Sequence, residues 1–191
     1  MMGKKVVIAG VPGVGKTTVI NGALERLSAE GTPFESLNFG TFMFEVARAD
    51  GIVEDRDEMR KLDGDTQKLL QRTAAEELSR REGNIIVDTH ASISTPSGYL
   101  PGLPEWVLRA LMPDMVVLVE TDEDQILMRR MADATRVRDM EGARGIALHQ
   151  QFNRSIAASY AMLTGCTVKI VNNQDFLLEQ AVDDLAAALR G

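Results

Sequence analysis

Fourteen residues near the start of the chain, VVIAGVPGVGKTTV at positions 6–19, constrain the fold more than any other stretch. A Val- and Ile-rich run with strand character breaks into Gly10-Val11-Pro12-Gly13-Val14-Gly15-Lys16-Thr17, and helical spacing resumes behind it. That octet matches G-x-x-x-x-G-K-[ST] in the setting its chemistry needs, between a strand and a helix. The glycines admit backbone conformations and close approaches that a β-carbon forbids, so successive N–H groups turn inward toward phosphate oxygens. The helix behind them adds its positive end. Lys16 then reaches the β and γ phosphates, the Thr17 hydroxyl is placed to ligate Mg2+, and Thr18 adds a contact to the α phosphate. Residues 10–18 are therefore read as a nucleoside-triphosphate site with Mg2+ as cofactor.

What surrounds this loop fits one architecture. Short apolar runs recur at Lys5–Ala9, Phe34–Phe39, Asn84–Asp88, Met115–Glu120 and Thr167–Val171, separated by segments with helical spacing. Such alternation predicts an α/β fold: a five-stranded parallel sheet with helices on both faces, of the P-loop NTPase kind. Residues 177–189 place Leu177, Leu178, Ala181, Val182, Leu185, Ala186 and Leu189 on one helical stripe. Two segments depart from the pattern. Val53–Arg81 reads as a polar helical insertion, and the Pro/Gly-rich Ser92–Pro104 reads as an ordered loop without regular structure.

With 191 residues, the chain has the length of one domain. It lacks an apolar run of the ~18 residues a membrane span requires, and a cytoplasmic protein is expected. A net charge of −7 argues against nucleic acid as a partner, because a long polyanion would be repelled over most of the surface. One cysteine and two histidines are too few for a structural zinc site. An anionic ligand must then enter a locally basic cleft, so the placement of the cations matters more than their number.

Asp88, closing an apolar strand, supplies the acid that holds Mg2+ directly or through water. The acceptor is harder to read. The guanine-selecting N-K-x-D element is missing, since Asn172-Asn-Gln-Asp175 lacks the lysine, and D-x-x-G does not follow Asp88. This disfavours a nucleotide-dependent switch. A hydroxyl acceptor calls for a base beside the phosphoryl, and Asp88 stands alone there unless Asp63, Asp65 or Asp139 folds in. An acceptor that is itself a phosphate needs charge neutralisation instead. Arg129, Arg130, Arg136 and Arg138 lie within one stretch after the fourth strand, where guanidinium forks suit phosphate geometry. Arg56 and Arg60 form a second cationic group that the acceptor phosphate can use.

Taken together, these segments resemble the archaeal-type adenylate kinases, a branch of the P-loop nucleoside monophosphate kinases. The likeness runs through Asn38-Phe-Gly40-Thr41-Phe-Met43, Arg56-Asp-Glu-Met-Arg60-Lys-Leu62, Asp88-Thr-His90, Thr95-Pro-Ser-Gly-Tyr-Leu-Pro-Gly-Leu-Pro104, Thr135-Arg136-Val-Arg138-Asp139 and Leu163-Thr-Gly165. It implies ATP and AMP as substrates, two ADP as products, Mg2+, a cytoplasmic location and a homotrimer. One P-loop kinase domain over residues 1–191 would carry a monophosphate-binding insertion at about 38–81 and a short lid at about 129–141. Lys16, Arg129, Arg136 and Arg138 would be catalytic, and Gly40, Thr41, Arg60 and His90 would contact AMP. Arg60 takes the AMP-phosphate role because Phe44 stands where the bacterial enzymes carry an arginine. A kinase for another nucleoside monophosphate or a small phosphorylated metabolite is the alternative.

Overall fold

A computed structural model describes residues 3–132 and 142–191. Five strands, β1 (Lys5–Ala9), β2 (Phe34–Asn38), β3 (Asn84–Asp88), β6 (Met115–Glu120) and β7 (Thr167–Asn172), form one sheet in the order β2-β3-β1-β6-β7. Each neighbouring pair is parallel, as the alternation predicts. β1 thus lies at the centre, and its C-terminal end opens between those of β3 and β6. Ligands of open α/β sheets bind at such a point, where the chain leaves neighbouring strands in opposite directions.

Successive strand residues point to opposite faces, and the core divides accordingly. Val6, Ile8, Ile86, Val117 and Val119 pack beneath α1 (Lys16–Ala29) and α7 (Leu178–Arg190). Val7, Ala9, Ile85, Val87, Val116 and Leu118 pack with α2 (Phe39–Ala49), α3 (Gly64–Arg80), α4 (Glu105–Leu111) and part of α6 (Ala143–Thr164). All of these strand residues are at most 1% exposed, so a polar substitution at any of them would bury an unpartnered group. In α7, Ala181, Val182, Leu185, Ala186 and Leu189 are buried as the stripe requires, while Leu177 lies before the helix and is exposed.

The insertion is helical as expected, a 3-10 turn at Glu58–Lys61 followed by α3. Ser92–Pro104 corrects the sequence reading. Its first ten residues form an antiparallel hairpin, β4 (Ser92–Thr95) with β5 (Gly98–Pro101). Thr95-Pro-Ser-Gly98 makes the turn: Gly98 has φ +121°, and the Thr95 hydroxyl donates to the Gly98 carbonyl at 2.7 Å. Pro101 is accommodated because β5 belongs to a two-stranded ribbon and need not donate on both sides.

This hairpin is fastened to α6 by buried polar contacts. Ser92 Oγ lies 2.5 Å from Asn153 Oδ1 and 3.1 Å from His149 Nε2, and the Tyr99 ring stacks on Phe152. The Tyr160 hydroxyl donates to the Ala91 carbonyl at 2.7 Å and accepts from the Leu103 amide at 3.0 Å. Burial pushes the Tyr160 phenol up to about 12, so it stays neutral at physiological pH. Tyr160→Phe keeps the ring but orphans the Leu103 amide, while the Ala91 carbonyl keeps its bond from the Gly102 amide, and urea unfolding is expected to show a loss of roughly 2 kcal/mol.

Candidate active site

The chain can leave β1 only through glycine. A β-carbon on Gly10 would lie 2.7 Å from the Val119 carbonyl of β6. Gly13 (φ +93°) and Gly15 (φ +83°) adopt the left-handed conformation that other residues avoid. Gly15 is also the N-cap of α1 and brings no side chain to that end, which leaves first-turn amides for a ligand. Residues 10–18, with Asn38, His90 and Arg129, line a cavity of about 560 Å3. All nine sequence-predicted triphosphate residues therefore meet in one concavity. Thr17 and Thr18 are exposed, while Val11 and Val14 are buried and anchor the loop in the core.

Lys16 begins α1 and reaches the end of the adjacent strand β3. Its ammonium pairs with the Asp88 carboxylate and donates to the Thr89 carbonyl at 2.9 Å. Both side chains are largely enclosed, 14% and 20% exposed, so the pair is less screened than a surface ion pair. His90 reaches solvent at the cavity rim, yet its pKa lies below the ordinary 6.5, first through desolvation against the loop and then through the Lys16 charge. The imidazole is accordingly neutral at pH 7 and can donate from one nitrogen and accept at the other. This places His90 beside the phosphate loop.

Thr17 and Asp88 offer hard oxygen donors, the type Mg2+ prefers. Among the described residues no three His, Cys, Asp or Glu side chains converge. That donor set fits an ion held by one or two protein oxygens together with substrate phosphates.

The insertion meets the site through Asn38. Asn38 lines the cavity and caps α2, accepting from the Thr41 amide at 3.0 Å. Gly40 and Thr41 thus sit in the first turn of α2, next to the phosphate loop. Arg56 donates to the Thr41 hydroxyl at 2.7 Å. Arg60 is exposed on the 3-10 turn and does not line the cavity. Of Arg56 and Arg60, the structure brings Arg56 to the Gly40–Thr41 corner.

Arg129 and Arg130 occupy the last turn of α5 (Glu123–Ala132). Arg129 donates to the carbonyls of Val14 (3.0 Å) and Asn173 (2.9 Å) and to Asp175 (3.0 Å from Nε), and Arg130 donates to the Pro12 carbonyl at 2.8 Å. Both therefore hold the backbone of the phosphate loop. Arg136, Arg138 and Asp139 lie outside the described residues, as does all of the expected lid beyond residue 132. Asn173 and Asp175 are contributors that sequence reasoning missed. The signal was available in Asn173-Gln-Asp175, which follows the apolar strand β7 and so leaves the sheet at the same C-terminal end as the loop.

An AAA domain family model matches residues 9–147. An adenylate kinase from Methanoculleus marisnigri is 65% identical over 192 aligned residues, covering all of both chains. One from Methanocaldococcus jannaschii is 53% identical with the same coverage. Among solved structures, a shikimate kinase from Acinetobacter baumannii in complex with shikimate superposes with a TM-score of 0.54 at 17% identity, covering 98% of this chain and 94% of that one. A gluconokinase from Sinorhizobium meliloti gives 0.51 at 15% identity, with 98% and 91% coverage. These two likenesses concern the fold.

Proposed function

The chain belongs to the adenylate kinase family, and from that premise we propose that it transfers the γ-phosphoryl of ATP to AMP, reversibly, giving two ADP. The observation that carries this reading is the phosphate loop itself: residues 10–18 wall one cavity with Lys16 drawn across it to the Asp88 strand end. The loop amides and Lys16 receive the ATP phosphates. An oxygen of the AMP phosphate attacks the γ-phosphorus while the bond to the β–γ bridging oxygen breaks, leaving ADP on each side. The acceptor is already an anion at neutral pH, so no general base is invoked. The obstacle is repulsion between two polyanions, and cations answer it. Lys16, Arg129, Arg136 and Arg138 fill that role. Bound at Thr17 and Asp88, Mg2+ would neutralise charge on the β and γ oxygens.

AMP is assigned to the side of the insertion, residues 38–81, against Gly40 and Thr41, with His90 between the two nucleotides as a neutral hydrogen-bonding group. Its phosphate falls to Arg56 or Arg60, and the Arg56–Thr41 contact favours Arg56. Arg56→Ala is expected to raise KM for AMP about ten-fold while KM for ATP stays near normal. Unchanged KM values for both substrates would return the role to Arg60. Closure of the insertion and of the lid at about 129–141 over the nucleotides would exclude water. A homotrimer acting in the cytoplasm completes the reading; among the described residues no helix is long and apolar enough to cross a membrane.

A coupled assay with ATP against AMP, CMP, UMP and GMP tests the assignment. Rapid ADP formation with AMP is expected. Preference for another monophosphate would redirect the acceptor, and slow hydrolysis alone would indicate a switch.

A further inference from the structure

The outer side of the phosphate loop is bonded as carefully as its inner side must be. We propose that Asn173 is a positioning residue of the reaction, which fixes the direction of the Val14–Gly15 peptide and so aims the Gly15 amide at the donor phosphates. This rests on the triphosphate reading of the same cavity.

Asn173 directly follows β7 and is 5% exposed. Its amide Nδ2 donates to the Val14 carbonyl at 2.8 Å, its backbone N–H donates to the Glu120 carbonyl at 2.7 Å, and its own carbonyl accepts from Arg129. The side chain is therefore held at both ends of its residue, by β6 and by α5. Arg129 donates to the same Val14 oxygen at 3.0 Å, so both lone pairs of that carbonyl have a partner.

A trans peptide points its C=O and N–H in opposite directions. Gly15 and Arg129 line the cavity and Asn173 does not; pinning the Val14 oxygen toward Asn173 therefore turns the Gly15 N–H away from Asn173, to the side on which the cavity lies. Without Asn173 the peptide keeps one anchor, Arg129, in place of two, and Gly15 tolerates φ of either sign. The amide would then be aimed at the phosphates less strictly. The approach is tight: a β-carbon on Gly15 would lie 2.5 Å from Asn173 Nδ2. Arg130 repeats the device one peptide pair earlier, holding the Pro12 carbonyl at 2.8 Å and thereby directing the Gly13 amide.

Steady-state kinetics of Asn173→Ala and Asn173→Asp test the proposal. Alanine removes the donor, and KM for ATP is expected to rise about ten-fold, the equivalent of one ordinary hydrogen bond, with KM for AMP unchanged. The aspartate variant keeps the size but sets a carboxylate oxygen against the Val14 carbonyl, so a larger loss is expected. Equal KM values for ATP in folded variants and wild type would overturn the inference. An equal rise in both KM values would also do so, since it would mark a general structural role. If neither variant folds, NMR of 15N-labelled wild type decides. A tethered Asn173 gives a slowly exchanging side-chain amide pair whose shifts move on ATP saturation, and a rapidly exchanging pair at free-asparagine shifts, indifferent to ATP, overturns the idea. A wild type that neither binds ATP nor makes ADP would instead sink the functional reading.

Discussion

Replacing Lys16 by methionine is expected to lower turnover by about three orders of magnitude while the chain stays folded. The side chain begins α1 rather than filling the core, so the aliphatic stem is conserved and only the ammonium is lost. What disappears is a cation lining the phosphate-loop cavity, which on this reading would offset the negative charge that grows on the β–γ bridging oxygen during transfer. A ligand-binding contact would change KM; a charge matched to the transition state changes kcat. Single-turnover measurements at saturating ATP separate the two. Near-normal turnover would refute the cradle assignment. Because Lys16 also partners Asp88, the variant leaves that carboxylate without its cation.

Asp88→Asn should be next in severity, with activity reduced about a hundred-fold. The substitution keeps the shape but removes the charge that closes β3. If Asp88 serves the metal, the Mg2+ concentration needed for half-maximal rate will climb in this variant. If it serves only to hold Lys16, the Mg2+ requirement will be unchanged and the double variant with Lys16→Met will be no worse than Lys16→Met alone. The cycle therefore distinguishes two jobs that the Lys16–Asp88 pair combines in a single contact.

Sheet and cradle were legible because each rests on a strong local rule. Val- and Ile-rich runs such as Asn84–Asp88 can be buried on both sides only in a sheet covered twice, and the loop at 10–17 places each glycine where backbone geometry demands one. The hairpin at 92–101 was misread because its prolines resemble punctuation; the Pro96-Ser97 pair between the tetrapeptides Ser92–Thr95 and Gly98–Pro101 was the clue. Arginines were the least legible. A guanidinium at the end of a long stem finds its partner by tertiary placement. Thus Arg129 meets Val14 and Asp175, residues 115 and 46 positions away, and Arg56 meets Thr41. No periodicity announces such pairs.

The sheet order also bears on when the protein becomes competent during synthesis. β1 and its phosphate loop emerge among the first residues, but the neighbours that shape the loop emerge far later: Asp88 from β3, Arg129 after β6, and Asn173 beyond β7 at the far sheet edge. A chain made only as far as β6 and α5 would hold the glycine-rich loop through Arg129 and Arg130 but without Asn173. The full set of contacts around the loop thus joins segments spread from β1 to beyond β7, and it is complete only when all of them have been made.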